Sequence, residues 1–311
     1  MSSPALSIDP RWPRSGGWPS PDTIEPGEPI DLTLLGIPTW RTSLSPTGAG
    51  STPAAVRAAL RYYAEFLPPD RSAQQRFVRS MADLVLTDAG DVEEPDGPEG
   101  EARAIAAVAD ASARASLVVA VGGDNALTVP AALGAWGDEL GTAGLITLDA
   151  HHDLRDGVSN GSPVRRLVES GLDGRRIVQI GIADFANSAE YARRAADYGI
   201  TVVHRDELHH RPIDDVMAEA LHHAGSAGGP VHVDLDVDVC DRSVAPGCPA
   251  SVPGGLSAWE LRRAARLAGA HPSVRSIDLA EVDATADAPD GRTVRLTALC
   301  VLEAAAGLAL R

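Results

Sequence analysis

Three short acidic segments carry most of the chemistry this chain could perform: Gly122-Gly123-Asp124-Asn125, Asp149-Ala150-His151-His152-Asp153 and Asp234-Leu235-Asp236-Val237-Asp238. Each follows a run of β-formers, Leu117 to Val121, Gly144 to Leu148 and Pro230 to Val233. Each is therefore expected at the carboxyl end of a buried strand, where open α/β sheets place their ligand sites. Alternate side chains of an extended segment share a face, which puts Asp149, His151 and Asp153 together, and likewise Asp234, Asp236 and Asp238. Carboxylates gathered around one imidazole, with no thiol, suit a harder divalent ion such as Mn²⁺ rather than a structural zinc. So many acids in one place repel one another unless some take up protons or cations sit between them. Two divalent ions sharing carboxylate bridges meet that need. A lone Asp at a strand end is more often a cap or turn residue, but several such acids placed independently argue for one site.

In this order the motifs resemble the ureohydrolase superfamily, which contains arginase, agmatinase, guanidinobutyrase and formimidoylglutamase. The resemblance runs from about Leu32 to the C-terminus. It also rests on Asp241 and Ala245-Pro246-Gly247, which follow Asp236-Val237-Asp238, and on Asp278-Leu279-Ala280-Glu281-Val282. It implies that Asp149 and Asp236 bridge two Mn²⁺ ions, that His151 and Asp238 complete one site, and that Asp153 belongs to the other. It further implies that Glu281 contacts the amidine or guanidine group and that Asp153 carries a proton to the leaving amine. Most of the family has His where this chain has Asn125. An amide oxygen is a weaker ligand for a first-row transition metal, so the site containing Asn125 is expected to bind its ion less tightly. Some formimidoylglutamase-like sequences resemble this one around Asn125.

A second departure concerns the substrate. Arginase-like members carry a His-Gly pair in the loop after the Asp-Ala-His-x-Asp motif, whereas this chain reads Ser159-Asn160-Gly161-Ser162-Pro163-Val164-Arg165. With Arg155 directly after the metal motif, this stretch resembles the formimidoylglutamase branch, so Arg155, Asn160, Gly161 and Arg165 are taken as substrate-binding candidates. N-formimidoyl-L-glutamate carries two carboxylates, and guanidinium groups bind carboxylates bidentately. The expected activity is Mn-dependent hydrolysis of that compound to L-glutamate and formamide, with no organic cofactor. Two alternatives remain: a guanidino hydrolase of the agmatinase, guanidinobutyrase or arginase type that releases urea, and a metal-poor, non-catalytic homologue.

The elements that must hold these residues follow from the pattern. Strand candidates are Leu32 to Ile37, Leu84 to Leu86, Leu117 to Val121, Leu145 to Leu148, Ile177 to Ile180, Thr201 to Val203, Val231 to Leu235 and Val274 to Leu279. Between them lie helical stretches such as Pro53 to Arg61, Glu101 to Ala113, Ala189 to Tyr198, Pro212 to His223 and Ala258 to Ala268. This alternation argues for a mainly parallel sheet with helices on both faces, in agreement with the three-layer, eight-stranded arginase-like fold that the resemblance implies. Thr52 is expected to cap the helix that opens at Pro53, and Asp88 to Gly100, dense in Asp, Glu, Pro and Gly, reads as a solvated loop. Residues 1–30 read as a loosely ordered arm and 31–311 as a single catalytic domain. His152, next to His151 but on the opposite side of an extended segment, is expected to be a buried, hydrogen-bonded histidine.

Forty-three acidic and 27 basic residues give a net charge of −16, which argues against nucleic acid or an anionic membrane as partner. Cys240, Cys248 and Cys300 fit neither a metal-type spacing nor an even-numbered disulfide framework, so reduced thiols and a cytoplasmic setting are the simplest reading. No secretory signal or membrane-length apolar run is visible. The resemblance implies a homo-oligomer, trimeric or hexameric.

Overall fold

The computed structural model describes residues 6, 8–68 and 80–311; positions 1–5 and 7 of the expected arm lie outside them. Eight strands form one parallel sheet: β1 (Ile30–Ile37), β2 (Leu86–Asp91), β3 (Ala115–Gly122), β4 (Gly144–Leu148), β5 (Ile177–Ile182), β6 (Thr201–His204), β7 (Val231–Asp236) and β8 (Val274–Ala280). Their spatial order is β2-β1-β3-β8-β7-β4-β5-β6. The central strands are buried along their whole length, β3 showing only a partial break at Ser116 and β8 at Arg275. That double-sided burial is what near-continuous apolar runs in parallel strands require.

Helices cover both faces. On one side lie α1 (Thr52–Leu60), α6 (Ile213–Ala224), α7 (Ala258–Ala270) and α8 (Arg292–Leu308), packed in one apolar cluster with Leu32, Val119, Val233 and Ile277. On the other lie α2 (Gly97–Arg114), α3 (Thr128–Trp136), α4 (Pro163–Glu169) and α5 (Ala189–Tyr198), packed through two smaller clusters. None of the helices among the described residues is long and apolar enough to cross a membrane.

Three expectations change. The stretch Asp88 to Gly100 is not a loop throughout: Asp88–Asp91 end β2, and Gly97 opens α2. The acids at its start are held by Arg57, whose Nε lies 2.8 Å from Asp88 Oδ2. Thr52 does not cap α1 but begins it, and its hydroxyl donates instead to the carbonyl of Val282, beside the site. The arm is docked between Ser15 and Thr23: Ser15 is fully buried and its N–H donates to the Tyr63 carbonyl at 2.9 Å, Trp18 Nε1 donates to Glu65 at 2.6 Å, and Arg114 Nη1 meets Asp22 at 3.1 Å.

The four strands whose ends carry the acidic motifs, β3, β8, β7 and β4, are immediate neighbours in the sheet. Chain order reverses across them, since β3 is followed in sequence by β4 but separated from it in space by β8 and β7. This is the topological switch point at which open α/β sheets form a crevice. At its edge Gly123 lets the β3 turn pass the loop after β1, because a Cβ there would stand 1.9 Å from the Thr39 carbonyl oxygen. Gly123→Ala is expected to cost about 1–3 kcal/mol as overpacking against backbone. Gly141→Ala, where nothing lies within 4 Å, should be neutral or stabilising by up to about 1 kcal/mol. Denaturant melts of the two variants check the contrast; equal stabilities would contradict it.

Candidate metal and substrate site

The site is assembled from four strand ends. After β3, Asp124 caps a single 3₁₀ turn, Asn125–Leu127, accepting from the Ala126 N–H at 3.3 Å and from the Thr42 hydroxyl at 3.0 Å. This presents Asn125, which is buried: its Nδ2 donates to Asp153 Oδ2 at 2.7 Å and its Oδ1 accepts from the Thr128 hydroxyl at 2.6 Å. After β4, Asp149 Oδ1 accepts from the His151 N–H at 2.6 Å, and His151 Nδ1 lies 2.7 Å from Asp238 Oδ2 and 3.4 Å from Asp149 Oδ1. After β7, Asp236 Oδ1 accepts from the Asp238 N–H at 2.8 Å, and Asp238 Oδ1 from the Ala150 N–H at 2.9 Å. After β8, Glu281 Oε1 accepts from the Asn125 N–H at 2.9 Å and from Asn160 Nδ2 at 2.7 Å. Its Oε2 takes no hydrogen bond from the described residues.

The means of convergence differs in one respect from strand alternation. β4 stops at Leu148 and β7 at Asp236, so the motif residues beyond them lie on turns. Asp153 (φ 54°) and Glu281 (φ 58°) both adopt left-handed backbone, a conformation that costs a non-glycine residue about 1–2 kcal/mol. Neighbouring bonds hold them there. The Glu281 N–H donates to the Gly123 carbonyl at 2.8 Å, and the Arg165 N–H to the Asp153 carbonyl at 3.2 Å.

Among the described residues Asp149, His151 and Asp238 offer ligand atoms that all lie within 4.8 Å of one another. Asp153, Asp236 and Glu281 open with His151 and Asp238 into a common cavity of about 510 Å³. Burial raises Asp149 to about 7, helped by Asp238. Burial and the Asp149 charge hold Asp153 well above the usual carboxylate range, and burial with Asp238 does the same to Asp236. Asp238 stays low despite its burial because His151 faces it. Burial works against a charged His151, yet Asp238 and Asp149 push it up to about 12. The cluster is thus short of positive charge, and its oxygen-rich donor set with one imidazole fits Mn²⁺.

The remaining sequence candidates fall into two groups. Arg155, Asn160 and Gly161 line the cavity. Arg155 is exposed, and among the described residues its guanidinium makes no hydrogen bond or ion pair; it stands 6.0 Å from the Tyr191 ring centroid. Gly161 leaves room for it, since a Cβ there would meet Arg155 Cδ at 2.7 Å. Arg165 corrects the expectation of a second carboxylate clamp: it does not line the cavity, and its guanidinium is bonded to the Arg155 carbonyl at 2.6 Å, the Gly157 carbonyl and Glu169. It holds the loop that carries Arg155.

His152 is buried, with Nδ1 2.7 Å from Gln179 Oε1, and burial lowers its basicity. Asn187 was not anticipated. It accepts from the His152 N–H at 2.9 Å and donates to the Ala150 carbonyl at 2.9 Å, tying the metal loop to the end of β5. Beneath the site Asp234 stands in register with Asp278, to which His232 Nε2 lies at 2.9 Å. His232 shares the strand parity of Asp234 and Asp236, and that parity was the available sequence signal for it.

Comparison with known proteins agrees with this geometry. The model of the arginase family matches residues 30–307. A formimidoylglutamase of Halalkalibacterium halodurans is 32% identical over 271 residues, covering 84% of this chain and 82% of that protein. The crystal structure of formimidoylglutamase from Bacillus subtilis superimposes with a TM-score of 0.85 at 27% identity, covering 100% of this chain and 96% of that one. A Trypanosoma cruzi formiminoglutamase with Mn²⁺ gives a TM-score of 0.79 at 27% identity, covering 91% of this chain and 94% of that one.

The titration of these groups sets a pH dependence. Asp149 and Glu281 rise from ordinary values of 3.8 and 4.5 to about 7, and His151 rises from 6.5 to about 12. Each binds more protons folded than unfolded, the acids between pH 4 and 7 and the imidazole above pH 6.5, so each loses stabilising influence as pH rises. Chelator-treated protein is therefore expected to melt at progressively lower temperature from about pH 5 to about pH 8, while the rise in melting temperature on adding Mn²⁺ grows, because ligands must shed protons to bind metal. A Mn²⁺ stabilisation independent of pH would contradict the ligand set.

Proposed function

The chain belongs to the arginase family, and from that premise we propose that it hydrolyses the C–N bond of N-formimidoyl-L-glutamate, releasing formamide and L-glutamate, a step of histidine degradation. The observation that carries the choice of substrate is Arg155: an unpaired guanidinium lines the same cavity as the buried carboxylates and Glu281. One end of the cavity suits an amidinium and the other a carboxylate. An amino-ended guanidine such as agmatine would find a cation where it needs an acid. Glu190, which also lines the cavity, lies 4.0 Å from Arg194, so its charge is partly countered.

Two Mn²⁺ ions are proposed to be held by Asp149, His151, Asp153, Asp236 and Asp238, with Asn125 beside Asp153. Such ions supply Lewis acidity that lowers the pKa of water toward neutrality. The chain's own residues do the rest. Glu281, fixed through Oε1 by Asn125 and Asn160, offers Oε2 to the formimidoyl nitrogens and holds their positive charge. The water oxygen bonds to the formimidoyl carbon. The bond from that carbon to the glutamate nitrogen then breaks, and this nitrogen receives the proton that the water gave up. Asp153 is the proposed carrier, because its buried carboxyl is held well above the ordinary range. Arg155 keeps the acid end in place throughout. A trimer-based assembly belongs to the same reading.

The test is a panel of N-formimidoyl-L-glutamate, 4-guanidinobutanoate, L-arginine and agmatine assayed with added Mn²⁺ for formamide, glutamate and urea. Formamide and glutamate are expected from the first alone; urea from any guanidine as the main product would sink the assignment. Arg155→Met should raise KM with a loss of roughly 1.5–3 kcal/mol, the worth of a hydrogen bond to a charged group. Arg165→Met should instead lower the melting temperature.

Asn125→His is expected to tighten binding of the more weakly held ion, because an imidazole replaces an amide. Mn²⁺ titration by calorimetry reads this directly, and unchanged affinity would remove Asn125 from the ligand set.

A further inference from the structure

Phe185, between β5 and α5, lines the cavity, and neither the metal chemistry nor the carboxylate contact accounts for it. Its side chain is fully exposed at 106%, and its backbone is left-handed at φ 64°. Both features are unfavourable, since an aromatic ring forgoes burial and a non-glycine residue is strained.

The segment around it is not slack. The Ala183 N–H donates to the Ala150 carbonyl at 3.0 Å, and Asn187 Nδ2 donates to the carbonyls of Ala150 at 2.9 Å and Ala183 at 3.2 Å. Ser188 caps α5, accepting from the Tyr191 N–H at 3.2 Å. The loop is thus tied at both ends to the metal loop and the helix, with Phe185 held out between them. A second exposed apolar residue, Leu44 at 59%, lines the cavity from the loop after β1, and its N–H donates to Asn160 Oδ1 at 3.1 Å.

We propose that Phe185, with Leu44, forms an apolar lip that turns in over the methylene chain of the bound substrate and makes Phe185 a specificity-determining residue. This rests on the substrate reading above. Formimidoylglutamate is charged at both ends and joined by apolar carbons; with its ends at Glu281 and Arg155, those carbons lie along the cavity with nothing polar to satisfy. An exposed ring changes rotamer in picoseconds to nanoseconds, so the lip closes without moving the hydrogen-bonded backbone. Water is then excluded from the region where the Arg155 contact forms, which strengthens that contact.

The experiment uses full-length enzyme with Mn²⁺. Phe185→Ala should raise KM for formimidoylglutamate about tenfold while kcat falls by no more than about threefold, the pattern of lost ground-state binding. Phe185→Leu should recover most of it, and the melting temperature and sedimentation of both should match wild type, since the ring packs against nothing. Phe185→Trp adds a readout independent of turnover: its fluorescence, after subtraction of wild type, should shift to the blue on adding formimidoylglutamate or 4-guanidinobutanoate. A wild-type KM in Phe185→Ala, or no blue shift with either compound, overturns the lip. So does a changed oligomeric state in Phe185→Ala, which would mean that the ring packs on a second copy. Wild-type turnover of 4-guanidinobutanoate in place of formimidoylglutamate would overturn the substrate reading alone, with the fluorescence shift still deciding the lip.

Discussion

Buried carboxylates crowded at neighbouring strand ends, without enough positive charge among them, are the constraint that the rest of this structure serves. Asp149, Asp153, Asp236, Asp238 and Glu281 are all buried within one small region. Protein side chains supply it with one imidazole, His151. Burying isolated carboxylates is so costly that they take up protons or gather cations, and the raised values of Asp149 and Glu281 express that cost. A fold stable enough to tolerate the arrangement is needed first, and the long central strands, apolar on both faces, provide it. Divalent metal is then a structural as well as a chemical requirement, since it relieves repulsion that the protein does not relieve by itself.

The second constraint is geometric. A flat row of parallel strand ends spreads its residues about 4.8 Å apart per strand, too far for side chains of alternate strands to share a ligand without help from the turns. Left-handed backbone at Asp153 and Glu281 provides that help by folding these two residues back toward the centre. Strain at such positions persists only when surrounding structure over-determines it, and here it does. Asn125 bonds to both residues, through its side chain to Asp153 and its N–H to Glu281. Gly123 accepts the backbone of Glu281, and only glycine fits there under the Thr39 carbonyl.

What could be read from the sequence follows from the same physics. All eight strands were visible because parallel strands buried on both faces are apolar runs that need no tertiary information. The acidic motifs were visible because such runs end where open sheets bind ligands. Helix α3 escaped notice: Thr128–Trp136 is apolar nearly all round, so it has no amphipathic period. The turn residues were grouped correctly for a partly wrong reason, alternation having been assumed beyond the last strand residue. Arg165 was misjudged because proximity in sequence to Arg155 says nothing of where a guanidinium points. Three bonds to its own loop decide that. Asn187 and Phe185 left no trace in the pattern, since a staple and an exposed ring on a short loop carry no periodicity.

A division of labour follows. The metal-binding acids sit on β4 and β7 or on the turns directly after them, where the sheet fixes their positions, and a change there alters every ligand at once. Arg155, Asn160 and Phe185 sit farther along the loops that follow β4 and β5, where the backbone is held by local hydrogen bonds rather than by the sheet. A chain can therefore exchange the groups that recognise the far end of a substrate without disturbing those that hydrolyse it. This is the physical reason that the metal motif alone identifies the family and not the substrate. Asn160 is the exception that joins the two regions, because one amide bonds Glu281 at the reacting end and Leu44 at the mouth. A ligand that moves the mouth thus acts, through a single side chain, on the carboxylate that holds the amidinium.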